Sequence, residues 1–76
     1  MVHAFVLVDC AAGTRAGFAE EIREHEHVTE AHVIAGDFDA MIEMEAEEVR
    51  DILETVTQEV RTVDGIGTTR TYVALE

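Results

Sequence analysis

The 76-residue chain contains no proline, no tryptophan, no lysine and a single cysteine, Cys10. Each absence excludes something. One thiol cannot close an internal disulfide, and no Cys/His spacing of a structural zinc site is present. The run Cys10-Ala11-Ala12-Gly13 follows the first apolar stretch, where soft-metal carriers hold a CxxC pair, but the second thiol is missing. Without lysine, five arginines face 17 acidic residues, for a formal charge of −12. That balance excludes a nucleic-acid surface of clustered cations. No apolar run reaches the ~18 residues of a membrane span. The N-terminus has no basic region of a secretory signal. With the lone cysteine, these features lead us to expect a reducing cytoplasm and no membrane partner.

What is present is acid. A charge of −12 on so small a body is self-repulsive, and the repulsion is tolerable where salt shortens the Debye length to ~3 Å at 1 M. Abundant Asp and Glu without lysine resembles the proteins of salt-accumulating halophiles, so stability is expected to rise with salt. A chain of this length makes one domain, residues 1–76. Its core alone rarely supplies more than ~3–5 kcal/mol. With a disulfide and a zinc site excluded, a partner subunit is the remaining source of stability.

The pattern turns on Ala31 to Glu45. Ala31, Val33 and Ala35 alternate with His32 and Ile34; after a polar break, Ala40, Ile42 and Met44 alternate with Met41, Glu43 and Glu45. A period of two on both sides predicts two strands of a hairpin. In the break, Gly36-Asp37-Phe38-Asp39, glycine allows positive φ and the aspartates can bond nearby N–H groups. Before the hairpin, Val2 to Val8 is apolar in both alternating sets and predicts a central strand, followed by a loop over 9–14. Arg15 to Glu26 predicts a helix with Phe18, Ala19 and Ile22 inward and Thr14 as N-cap. After the hairpin, Val49, Ile52, Leu53, Val56 and Val60 form the second helical stripe, with Glu47 and Glu48 in its first turn and Val63-Asp64-Gly65 as its stop. Ile66 to Leu75 is the last strand. The order βαββαβ with right-handed crossovers gives an α+β, ferredoxin-like sandwich with antiparallel sheet order 4-1-3-2. Both helices lie on one face. Phe5, Leu7 and Met41, or their alternates, are left on the other, and a second copy of the sheet is the simplest cover.

With AGDFDAMIEM in the hairpin and TTRTYVAL at the end, the chain resembles the Lrp/AsnC family, in its C-terminal effector-binding (RAM) domain. Family members commonly carry Gly-Asp/Glu-Tyr-Asp where this chain has Gly36-Asp37-Phe38-Asp39, and a Thr-rich last strand where it has Thr68, Thr69, Thr71 and Tyr72. Phe38 departs from the common tyrosine and removes its hydroxyl. The resemblance covers about Ala4 to Leu75. It implies dimerisation sheet to sheet in the manner of dimeric α/β barrels, further assembly of dimers into octamers, and an amino acid or related small molecule bound between dimers. It also implies that DNA binding belongs to a helix-turn-helix domain that these 76 residues do not contain, which points to a stand-alone effector domain or a fragment of a longer regulator; a subunit that mixes with full-length regulators is a further reading.

The ligand residues expected on these grounds are Gly36, Asp37, Phe38, Asp39, Thr69 and Thr71. No catalytic residue, cofactor or metal site is expected. His3, His25, His27 and His32 form no evident four-ligand set, and the paired carboxylates Glu20-Glu21 and Glu47-Glu48 fall on wet faces. A small dimeric α/β-barrel enzyme is the alternative reading. It needs a cavity lined by His, Tyr or Asn, and the chain has one tyrosine and no asparagine.

Overall fold

Nine residues, Val2–Cys10, form the first strand, β1, in a computed structural model that describes residues 1–11, 13 and 15–75. The strand runs past its expected end at Val8, because Cys10 still pairs with Ile66 across a bulge at Asp9. Ala4, Val6, Val8 and Cys10 are buried, while Phe5 and Leu7 on the opposite face are half-buried. The chain continues through α1 (Arg15–Ile22), β2 (Val28–Val33), β3 (Ala40–Ala46), α2 (Val49–Thr55) with a π-helical turn Val56–Val60, and β4 (Ile66–Val73). Neighbouring strands are antiparallel in the order β2-β3-β1-β4, the expected ferredoxin-like sheet counted from its other edge.

α1 buries Phe18, Ala19 and Ile22 as its stripe predicts. It ends at Ile22 rather than near Glu26. The amides of Glu24 and His25 bond only three residues back, to Glu21 and Ile22, which tightens the chain out of the helix. The Arg23 guanidinium then ties the helix end to β2, donating to the Ala31 carbonyl from Nη2 at 2.7 Å. The N-cap expected at Thr14 lies outside the described residues.

α2 departs further from its stripe. Ile52, Val56 and Val60 are buried, but Val49 and Leu53 are 40% and 48% exposed. Thr55 takes a buried place instead, with its hydroxyl donating to the Asp51 carbonyl at 2.9 Å. The π turn explains the shift. Eight residues at 3.6 per turn would carry Val60 roughly 80° round the axis from Ile52. The wider turn, in which Arg61 N–H reaches the Val56 carbonyl five residues back at 2.9 Å, absorbs an extra residue and keeps Ile52, Val56 and Val60 in line. Glu47 and Glu48 precede the helix, Glu48 as its N-cap, and Asp51 is the acid of its first turn. Gly65, at φ 89°, turns the chain into β4.

β2 begins at Val28, three residues before the expected start, and ends at Val33, leaving Ile34 and Ala35 to the turn. A bulge decides which face each of its side chains takes. Val28 pairs with Met44 and Ala31 with Ile42, both on the core side, although Val28 and Ala31 are three apart and their partners two. Regular alternation would throw one of them to the wrong face. The extra residue, at Thr29, solves this by returning Val28 to the core side, while Glu30 and His32 alternate with Ala31 onto the open face, opposite Glu43 and Met41.

Candidate ligand site and the open sheet face

The turn chosen from the sequence joins β2 to β3 and is closed by Ile34 N–H donating to the Asp39 carbonyl at 2.9 Å. Asp39 N–H in turn donates to the Val8 carbonyl at 2.9 Å. One rung further along β1, past the last β3 pair at Val8 and Ala40, the Cys10 N–H donates to Asp39 Oδ2 at 2.9 Å, so a side chain extends the ladder beyond the end of the strand. Asp39 therefore anchors the turn to the central strand. Asp37 and Gly36 are exposed, and Phe38 is half-buried.

Gly36 does not adopt positive φ, and a Cβ built there meets nothing within 4 Å. The positive φ that glycine allows here is not used: among the described residues, positive φ falls at Gly13 and Gly65. Thr69 pairs with Val8 and Thr71 with Val6, so both hydroxyls lie on the helix-side face, half-buried on an edge strand. Ala40, just after the turn, pairs with Val8 from the other side. The turn and Thr69 thus flank the same residue of β1 at one end of the sheet, separated by two strand spacings, or about 10 Å. The fold brings the two segments to one end without bringing them into contact. A groove of about 500 Å³ lies elsewhere, between α1 and the turn after α2, lined by Gly17, Phe18, Glu21, Thr62, Val63 and Asp64. None of the expected ligand residues lines it.

The face opposite the helices carries three rows across the strands. Glu30, Glu43, Phe5 and Tyr72 form one, and His32, Met41, Leu7 and Arg70 the next. In the third, His3 Nε2 lies 3.6 Å from Glu45 Oε1. The middle of the face is apolar, with Phe5, Leu7 and Met41 half-buried and Tyr72 54% exposed. Its β2 side is charged. His32 Nε2 is 3.1 Å from Glu30 Oε1. The Glu43 carboxyl is held above the usual carboxylate range, first by its hydrogen bond with Glu30, then by partial loss of water and repulsion from the Glu30 charge; His32 and His3 pull the other way. Glu30, His32 and Glu43 bring one ligand atom each to within 4.8 Å of the others. Sequence reasoning missed this trio because it began the hairpin at Ala31, one residue past Glu30. The Glu-x-His spacing around Ala31 was visible, but the register that sets Glu43 opposite Glu30 was not.

The fold and its uncovered face define an α+β sandwich closed by its own helices on one side only. The Lrp/AsnC ligand binding domain family matches residues 3–76, and the chain belongs to that family. It is similar to an uncharacterized HTH-type transcriptional regulator of Pyrococcus furiosus, with 32% identity over 74 residues, 93% of this chain and 49% of that protein. The chain thus spans about half the length of the curated relatives it matches. A hypothetical protein of Pyrococcus horikoshii superposes with a TM-score of 0.92 at 30% identity, over 100% of this chain and 92% of that one. A transcriptional regulator of Neisseria meningitidis, solved as a complex with L-Met, superposes with a TM-score of 0.87 at 17% identity, over 99% of this chain and 50% of that one, a likeness of fold alone.

Proposed function

We propose that this Lrp/AsnC ligand-binding domain senses an amino acid or related small molecule and couples its binding to assembly of copies of the chain, as the effector module of transcription regulation in the cytoplasm. The observation that carries the reading is the convergence of the hairpin turn and the start of β4 on the end of β1, within a fold whose Neisseria relative was solved with L-Met. A single copy offers only part of a site, since the turn and Thr69 are not in contact. A neighbouring dimer is the natural source of the rest, as the family resemblance implies.

The chemistry suits a zwitterion. In this reading exposed Asp37 accepts the ammonium, while Asp39 holds the turn against Cys10. Turn N–H groups near Gly36 and Phe38, with the hydroxyls of Thr69 and Thr71, are donors for the carboxylate. Charge-assisted bonds contribute ~1.5–3 kcal/mol each. Three of them, less the cost of association, give an affinity of about micromolar to millimolar. The curated relatives are named as transcriptional regulators, which supports a role without catalysis. DNA binding by a whole regulator, mixing with full-length family members and adaptation to concentrated salt belong to the same proposal.

The test is calorimetry in ~1 M salt against the twenty amino acids, on the wild type, Asp37→Asn and Asp39→Asn. One or a few amino acids should bind, and Asp37→Asn should weaken them about tenfold, the loss of ~1.4 kcal/mol. Unchanged affinity in both variants would place the site elsewhere. Absence of binding by every amino acid would overturn the ligand class.

A further inference from the structure

We propose that Glu30, His32 and Glu43 form a binding site for a first-row transition-metal dication of the Zn²⁺ class on the open sheet face. The site goes beyond the amino-acid reading and does not depend on it. Three features of the geometry point to it.

First, the ligand atoms already converge: one from each residue, all within 4.8 Å of one another, with His32 Nε2 3.1 Å from Glu30 Oε1. Donors on one tetrahedral zinc lie about 3.3 Å apart, given metal–ligand bonds of ~2.0–2.2 Å. Closing the remaining distance takes small rotations of side chains that stand at the surface. Second, the backbone supplies the arrangement from two strands. Glu30 and His32 alternate along β2, and Glu43 stands directly opposite Glu30 on β3. At the neighbouring bulge, Thr29 Oγ1 donates to the Glu43 carbonyl at 3.2 Å and ties the two strands together beside the trio. Third, two carboxylates opposite each other on neighbouring strands repel, and a dication between them turns that repulsion into attraction. The only arginine in the two adjoining rows, Arg70, is on β4 at the far edge of the sheet, paired with Leu7, and cannot serve that purpose.

The donor set fixes the class of ion. One imidazole nitrogen with two carboxylates suits Zn²⁺, Mn²⁺, Co²⁺ or Ni²⁺. Mg²⁺ and Ca²⁺ prefer oxygen alone, and soft ions need sulfur. Three protein ligands leave a coordination position open to water or to another donor. β2 is an edge strand, so the site lies at the rim of the face, within reach of solvent.

The experiment is calorimetric titration of the full chain with Zn²⁺ in ~1 M NaCl, which screens diffuse attraction by the acidic surface, with Mg²⁺ as the hard-ion control. The wild type should take up one Zn²⁺ per chain, with shifts in the His32 ring resonances by NMR, and Mg²⁺ should not compete. His32→Ala and, independently, Glu43→Gln should weaken binding by about tenfold or more, while His25→Ala/His27→Ala leaves it unchanged. Circular dichroism checks that each variant is folded. No stoichiometric uptake by the wild type, undiminished affinity in both His32→Ala and Glu43→Gln, or loss confined to the His25/His27 variant would each overturn the site.

Discussion

The two faces of the sheet are made from the same four strands and differ in how they are completed. On the helix side, Ala4, Val6, Val8, Ala40, Ile42, Met44 and Ala46 are all buried, closed over by Phe18, Ile22, Ile52, Val56 and Val60. On the other side, Phe5, Leu7, Met41 and Tyr72 sit at the same strand positions, one residue out of phase, and remain partly in water. The first face is finished within one chain. The second is a mixed surface, apolar along β1 and ionisable along β2 and β3. The difference teaches that this domain completes its own core on one side of the sheet and leaves an apolar strip open on the other, so that substitutions on the two faces should have separable effects.

The largest separation is expected between Ile42 and its neighbour Met41. Ile42 is fully buried, and Ile42→Ala should lower unfolding free energy by ~2–5 kcal/mol, a large share of what so small a domain has. Met41→Ala, on the open face, should cost the isolated chain well under half as much. Urea unfolding followed by circular dichroism in high salt, at a concentration low enough for light scattering to give a single chain, makes the comparison; equal losses there would mean that the two faces are not distinct. At the sheet end, Asp39→Ala should cost ~1–3 kcal/mol by removing the carboxylate that accepts from the Cys10 N–H. Asp39→Asn, which retains a carbonyl oxygen for that bond, should cost less by the same measurement.

The glycines sharpen the account further. Gly65 has φ 89°, and Gly65→Ala should destabilise by ~1–2 kcal/mol because an L side chain resists that conformation. Gly36→Ala faces open space at ordinary φ and should be neutral within ~0.5 kcal/mol. Thermal melts of the two variants decide. The smallest effect is one of pH. With any metal chelated, the Glu43 carboxyl titrates above its ordinary value of 4.5 in the folded chain. The folded state then holds a proton that the unfolded state has released, so this contribution is full below that value and is lost as pH rises through the folded pKa. Glu43→Gln has no such loss. Its melting temperature should gain on the wild type as pH rises across that window, and a constant difference would remove the coupling to Glu30.

Much of this was legible in the sequence. Alternation along Val2 to Val8 and Ala40 to Ala46 set the strands and their inward residues, and the βαββαβ order set the sheet. Phe18, Ala19 and Ile22 marked the buried side of α1. The failures have a common physical form: they are places where the backbone leaves its regular period. The π turn moves Leu53 outward and Thr55 inward. The bulge in β2 brings Val28 to the face that Ala31 already holds. Neither irregularity leaves a mark in residue spacing, since each is set by the tertiary demand to keep particular apolar side chains inside. Gly36 failed for a different reason. Glycine permits positive φ without requiring it, and this turn of six residues does not need it. The turn was correctly found at Gly36 to Asp39, but the bond from Cys10 to Asp39 joins residues 29 apart and could not be read from local pattern.

The central claim is that the open face is completed by a second copy of the chain. It is tested most directly by the mass of the domain in solution, by light scattering at micromolar concentration in ~1 M salt, for the wild type and Leu7→Glu. The account predicts at least twice the chain mass of 8.4 kDa for the wild type, and a folded or partly folded single chain for Leu7→Glu, which places a charge in the middle of the apolar rows. A wild type that is folded at 8.4 kDa, or a Leu7→Glu variant that keeps the wild-type mass, would contradict it.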